Sequence, residues 1–287
     1  KLGKDNAIVT KFLLKLSKEL TEVHLPYVTP EQGDILCKFC LEVVRMYSED
    51  TKGRVTIESM EQGEHCSQLV TLLKLLSQLT TRDLPIAAKS TIDIAQVVIT
   101  GMMIVIPLIS AKLLKYPKLC NQYYSLLGLL LHVFPARVAD LPPEQFNQLI
   151  STLEFGLMQS DPQVSTQAIE ALAAISRFHL DDINPANQGR AGCRGVGLGG
   201  HALPDASGSS LLTRFLENLL HRLLFDTCGR DFVEEAADAL LPLILTETGA
   251  FQRIGTALLA GQVAPDSQSR LAEALNQLML YNNTPIQ

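Results

Sequence analysis

Tryptophan is absent, aromatic residues make up only 6% of the chain, and charged residues only 19%. A chain with so few rings lacks the stacking platforms on which single-stranded nucleic acids are held. Basic charge is also scarce: 24 Lys and Arg stand against 30 Asp and Glu, a formal net charge of -6. That balance argues against the dense cationic face on which duplex DNA or structured RNA is bound. Long apolar runs are missing too. The most apolar stretch, Ala95 to Ser110, is broken by Thr100, Gly101 and Pro107. It falls short of the roughly 20 residues needed to span a bilayer, so it predicts a buried helix and no membrane insertion. The six cysteines (Cys37, Cys40, Cys66, Cys120, Cys193 and Cys228) are scattered, unlike the dense framework of a small secreted domain, and a reducing compartment is expected. The sequence opens KLGKDNAIVT, with neither an initiator Met nor a signal-peptide layout, so a segment of a longer protein is expected.

What is present is leucine at helical spacing. With 47% hydrophobic residues in 287, the chain can bury a sizeable core. Phe12, Leu13, Leu16 and Leu20 place a stripe on a first helix. Ile35, Leu36, Phe39, Val43 and Met46 do so on a second, which begins near Pro30 with Thr29 able to cap it. Leu69, Leu72, Leu73, Leu76 and Leu79 predict the buried side of a third, after a polar loop. Further helices are read from Thr91 to about Ser110, from Pro117 to Phe134, from Glu144 to Met158, and from Pro162 to about His179. Another four run from Leu211, Asp231, Ala250 and Ser267. Pair starts recur at roughly 40 residues, the size of a HEAT or armadillo unit. The fold class expected is therefore all-α, an alpha-alpha superhelix of antiparallel hairpins. It forms one continuous helical-repeat segment over 1–287, with terminal hairpins over 211–287. Residues 181–210 carry seven glycines and almost no apolar periodicity, and read as a flexible insertion without a packed element.

Candidate chemistry is thin. Within the insertion, GVGLGG resembles a glycine-rich phosphate loop, but the preceding strand and the Lys followed by Ser or Thr are missing. Cys37 and Cys40 have the spacing of a redox dithiol or half a zinc site, yet they sit inside an amphipathic helix with no second ligand pair, and packing is the expected role. His65 and His221 have no local triad or ligand partners, and neither HExxH nor GxSxG occurs. No catalytic residue, metal or cofactor is therefore expected. Charge is more informative. Residues 61–136 sum to +2 and residues 211–287 to -4, counted from the sequence. Lys112, Lys115 and Lys118 cluster around Tyr116-Pro117, and Asp231, Glu234, Glu235 and Asp238 crowd one helix. The two clusters are candidate partner-binding surfaces of opposite sign.

Several motifs carry a resemblance. They are the helix ending in Pro107-Leu108; Tyr116-Pro117-Lys118-Leu119-Cys120 followed by Tyr123-Tyr124; and Leu141-Pro142 leading to Leu153-Glu154-Phe155-Gly156. Near the end stand Phe251, Leu258-Leu259, Gln262, Pro265-Asp266, Arg270-Leu271-Ala272 and Asn276-Gln277-Leu278. Together they resemble the carboxy-terminal part of exportins of the importin-beta (karyopherin-beta) superfamily, in the branch of the fourth and seventh exportins. The resemblance implies a HEAT-repeat nuclear transport receptor that binds folded protein cargo with Ran-GTP and passes nuclear pore proteins as it shuttles between nucleus and cytoplasm. It also implies that the main Ran contacts lie upstream of this chain. The helices starting at Tyr116, Pro162, Asp231 and Asp266 would line the concave face. The glycine-rich stretch 181–210 departs from the family pattern. A helical-repeat scaffold or adaptor without a transport role is the alternative.

Overall fold

The computed structural model describes residues 2–24, 27–52, 61–81, 93–109, 113–190, 192–204, 209–226, 229–261 and 265–282. These residues are almost entirely helical, built of stacked antiparallel helices of the HEAT/ARM kind. The chain divides into two compact units, Lys1–Ala171 and Leu172–Gln287.

In the first unit α1 (Leu2–Glu19), extended by a π-helical turn at Leu20–His24, forms a hairpin with α2 (Pro30–Lys52). Both pack against neighbours: α1 on α3 (Glu61–Thr81), and α2 on α4 (Ile94–Val105). Thr29 caps α2 through its hydroxyl, which accepts from the Gln32 N–H at 3.4 Å, while the Gln32 side chain accepts from Thr29 N–H in return. Helix α4 starts on Asp93, whose carboxylate accepts from Gln96 N–H. It ends in a 3-10 turn at Ile106–Leu108, where Pro107 cannot continue the α-helical ladder. No described helix is long and apolar enough to cross a membrane.

The faces that α1 and α2 bury differ from the expected stripes. Phe12 and Leu16 are 65% and 50% exposed, whereas Thr10, Leu14, Ser17 and Thr21 are buried. Ser17 and Thr21 donate their hydroxyls to the carbonyls of Leu13 and Ser17, both at 2.8 Å. A hydroxyl folded back one turn in this way buries with its proton satisfied, so polarity of the side chain does not keep it outside. On α2, Ile35 and Met46 face outward, and the buried face runs through Cys37, Cys40, Val43, Val44 and Tyr47. The leucine side of α3 is as expected, with Leu75 joining it.

A 3-10 turn at Leu113–Lys115 precedes α5 (Pro117–Val133), which packs along α3. The connection between Phe134 and Pro143 holds the short helix α6 (Pro135–Ala139). Helices α7 (Pro143–Leu157) and α8 (Pro162–Ile183) form the next hairpin, and Asp161 accepts from Gln163 N–H at the start of α8. Two adjacent tyrosines join α5 to α7. Tyr123 OH donates to Thr152 Oγ1 at 2.6 Å and Tyr124 OH to the Thr152 carbonyl at 2.9 Å, with the rings edge to face. Burial pushes both phenols far above their ordinary range. Gly156 makes room for this joint: a Cβ there would lie 2.2 Å from Tyr124 Cε1.

In the second unit α9 (Leu211–Phe225) packs on α10 (Arg230–Thr246) and α11 (Thr248–Ala260), and α12 (Pro265–Asn282) packs on α11. Ser210 caps α9 by accepting from Thr213 N–H at 3.0 Å.

The glycines of unit one give a prediction of opposite signs. Gly156→Ala drives a methyl into the Tyr124 ring, which its hydroxyl ties to the Thr152 carbonyl, and should destabilise the chain by about 1–3 kcal/mol. In Gly128→Ala the added Cβ meets nothing nearer than 3.7 Å, so the better helix former should be neutral or stabilising by up to about 1 kcal/mol. Urea denaturation midpoints at constant m-value check both.

Candidate functional site

The sequence-predicted surfaces come out unequally. In the basic cluster, Lys115 ends the 3-10 turn and Lys118 lies in the first turn of α5; both are exposed, and Lys112 lies outside the described residues. Lys118 stands at the positive end of the α5 dipole, a mildly unfavourable placement that adds to the local positive potential. In the acidic cluster, Glu234 accepts from Arg230 at 2.8 Å, and Asp238 pairs with Arg177 of α8 at 2.5 Å. Glu235 is half-buried, and Asp231 is the second residue of α10, after Arg230. Two of the four carboxylates therefore have basic partners, which removes much of the expected repulsion between Glu234 and Asp238 and dilutes the acidic face.

The residues singled out for chemistry are packing elements. Cys37 and Cys40 are buried, and burial pushes the Cys40 thiol up to about 11, so it stays protonated and inert. Thr21 Oγ1 lies 3.7 Å from its sulfur. His65 bonds through Nδ1 to Tyr47 OH at 2.9 Å and stacks on that ring, and burial lowers its pKa. His221 leans on Phe225 at 4.8 Å between ring centres. Among the described residues, no group of three or more His, Cys, Asp or Glu is placed to hold a metal.

The polar site that sequence reading missed lies in the glycine-rich stretch. The expectation that 181–210 lacks a packed element is corrected over 181–190 and 192–204: α8 continues to Ile183, and 3-10 turns follow at Pro185–Asn187 and Gly199–Ala202. Asp182, 3% exposed, accepts backbone N–H bonds from Arg194 at 2.7 Å, Val196 at 3.0 Å and Gly197 at 2.7 Å. Burial would raise its carboxyl, but the three donors and the Arg194 charge outweigh it and hold it below the ordinary range. One helical turn earlier, His179 Nδ1 accepts from Leu198 N–H at 3.0 Å, which requires a neutral ring with its proton on Nε2. Arg194 returns to the loop, donating to the Gly197 carbonyl at 3.2 Å and lying over the Phe178 ring. Gly197 has φ +54°, and a Cβ there would sit 2.2 Å from His179 Nδ1. Leu198 is the side chain the loop buries, at 1% exposure.

The far end of the stretch is held as well. Glu247, at the junction of α10 and α11, accepts from Ser210 Oγ at 2.5 Å and from Thr213 Oγ1 at 3.1 Å. The signal in the sequence was weak. An acidic pair at Asp181-Asp182 ahead of glycines, and Ser209-Ser210 ahead of a leucine run, are the residues that end one helix and begin another. Nothing in their spacing says which backbone they bond.

Stacked antiparallel helical hairpins place the described residues in the HEAT/ARM-like class of helical-repeat folds. A family model described as Exportin-4 matches residues 3–284, nearly the whole chain, and the chain belongs to that family. It is 20% identical over 274 residues to the protein named Exportin-4 of Dictyostelium discoideum, which covers 95% of this chain but only 22% of that protein. The chain thus spans about a fifth of the length of that curated relative, and its family is non-catalytic.

The loop latch has a defined pH dependence. The folded-state pKa of His179 is lowered from the usual 6.5, mainly by burial against the opposing pull of Glu247 and Asp182. Its contribution is therefore complete above about 6.5 and declines as pH falls through that value toward the folded pKa. For Asp182 the loss comes only as pH falls below the ordinary carboxylate range near 3.8. Amide hydrogen exchange of Gly197 and Leu198, corrected for intrinsic rates, should show full protection near neutral pH and falling protection from about pH 6 downward. Asp182→Asn should weaken it at neutral pH.

Proposed function

We propose that this chain is a carboxy-terminal segment of a nuclear export receptor that binds folded protein cargo in concert with Ran-GTP and shuttles between nucleus and cytoplasm. The observation that supports this most directly is the family match over residues 3–284 on a stack of helical hairpins. Stacked hairpins contact chiefly their neighbours, so they supply the extended and modestly deformable surface that wrapping a folded partner demands. No covalent chemistry is needed for that task. Ran contacts belong mainly to repeats upstream of this segment, and nuclear pore proteins are met in transit.

Within the segment, the partner surfaces we favour are the two charged patches. Lys115 and Lys118, with Lys112 next to them in sequence, suit an acidic partner. Asp231 and Glu235, with Glu234 and Asp238 drawn partly into ion pairs, suit a basic one. Charges at such a rim act more on association rate than on the final affinity.

The deciding experiment is coupled binding by the longer protein that contains this segment. Cargo affinity should rise when Ran is loaded with GTP and fall when it carries GDP, whereas a scaffold or adaptor would bind its partner indifferently to nucleotide. In the same assay Lys115→Glu with Lys118→Glu should slow association with an acidic partner by about 3- to 10-fold at about 50 mM salt, and much less at about 300 mM. Helical content by circular dichroism should not move.

A further inference from the structure

Eighteen large apolar side chains are exposed among the described residues, and eight of them lie between Ile8 and Met46. The exposure is thus concentrated on the α1/α2 hairpin. On α1 it follows a helical stripe: Ile8, Phe12 and Leu16 are four apart, Val23 falls on the same side, and all four are at least 50% exposed. The opposite side of that helix is the one that packs, through Leu14, Ser17 and Thr21. On α2, Ile35 and Met46 are 68% and 42% exposed, and their separation of about three helical turns sets them on one side as well.

These stripes are what packing leaves over. Helix α1 packs on α2 and α3, and α2 on α1 and α4, so the inner side of the hairpin is covered. The outer side is as apolar as a covered face and stands open. A hairpin that closes a helical-repeat stack carries a polar outer face as a cap, whereas an apolar outer face is the mark of a hairpin inside a stack. Charge does not select what covers this one. Glu19, on the striped side of α1, is bound by Lys18 at 2.9 Å, and Glu42 of α2 is bound by Arg45 at 2.6 Å. Its acids are spent within their own helices, so the face is suited to an apolar occupant. The chain spans about a fifth of the length of its curated relative, and most of that relative lies outside the matched part.

We propose that the outer face of the α1/α2 hairpin is a stacking seam, covered by a further antiparallel helical hairpin of the longer protein that contains this segment. Two antiparallel helices present two apolar stripes, and a second pair meets both, where a single helix would leave one open. Phe12 and Leu16 enter the grooves of one incoming helix, and Ile35 and Met46 those of the other. The seam rests on the reading that this chain is part of a longer protein, and it names the surface by which the segment joins the rest.

The test is hydroxyl-radical footprinting of the native side chains, read by mass spectrometry. It compares the 287-residue chain with the longer protein, both dilute and both without cargo, Ran or any other partner. Phe12, Leu16 and Met46 should be oxidised at least about fivefold more slowly in the longer protein, while the exposed Met158 of α7 should change by less than about twofold. The protection should survive a further dilution of about tenfold, because a seam within one chain does not depend on concentration. Equal oxidation in the two proteins, or an equal fall at Met158, would overturn the proposal. So would protection that appears only when cargo or Ran is added, which makes the face a partner surface, or protection lost on dilution, which makes a second copy the occupant. A scaffold without a transport role would show the same protection, so failure of the transport reading and failure of the seam are separate results.

Discussion

Burial of one helix on several sides at once is the constraint from which the first unit is built. Helix α3 carries Leu69, Leu72, Leu73, Leu75, Leu76 and Leu79, each exposed by 1% or less, and packs against α1, α4 and α5. A helix with so wide an apolar surface cannot be covered by a single partner, so its neighbours must be arranged around it. The same requirement explains α4, whose Val97, Val98, Ile99, Met102 and Val105 are buried and whose small Gly101 faces the Leu76 side chain of α3. Each hairpin is in this sense incomplete alone. That incompleteness makes a helical-repeat protein a stack and suits it to binding over an extended surface.

Where the repeats are interrupted, hydrogen bonds take over from apolar packing. The stretch after α8 buries Leu198 and little else of apolar character, yet it is tied at both ends: Asp182 and His179 hold backbone N–H groups, and Glu247 holds the Ser210 cap. A loop rich in glycine loses much backbone entropy when ordered. Here the compensation comes from a buried carboxylate that finds three donors, an arrangement worth more in a low-dielectric pocket than on the surface. Over residues 181–190 and 192–204 the stretch is thus folded back onto the end of α8.

The charged groups show how ion pairing edits a surface. Residues that look like one acidic face in sequence are divided in space between ion pairs with Arg177 and Arg230 and the half-buried Glu235. A partner's electrostatic preference is set by what remains after such pairing.

The class of fold was legible because helical periodicity is a local property: leucines at spacings of three and four declare a buried stripe wherever the helix ends up. Proline at the first helical position did the same for the starts at Pro30, Pro117 and Pro162. The sequence by itself also carried the family resemblance and the packing role of Cys37 and Cys40. Which face of α1 and α2 turns inward was decided only by tertiary packing. Ser17 and Thr21 can be buried once their protons turn back on the helix, while Phe12, Leu16 and Ile35 can be left outside, and neither outcome is written in hydropathy. The order of 181–190 and 192–204 was likewise invisible, since the bonds that create it join Asp182 to Arg194, Val196 and Gly197, and His179 to Leu198, across a dozen or more residues. Periodicity reports what one element needs to bury; only the assembled structure brings a carboxylate to the backbone groups that need it.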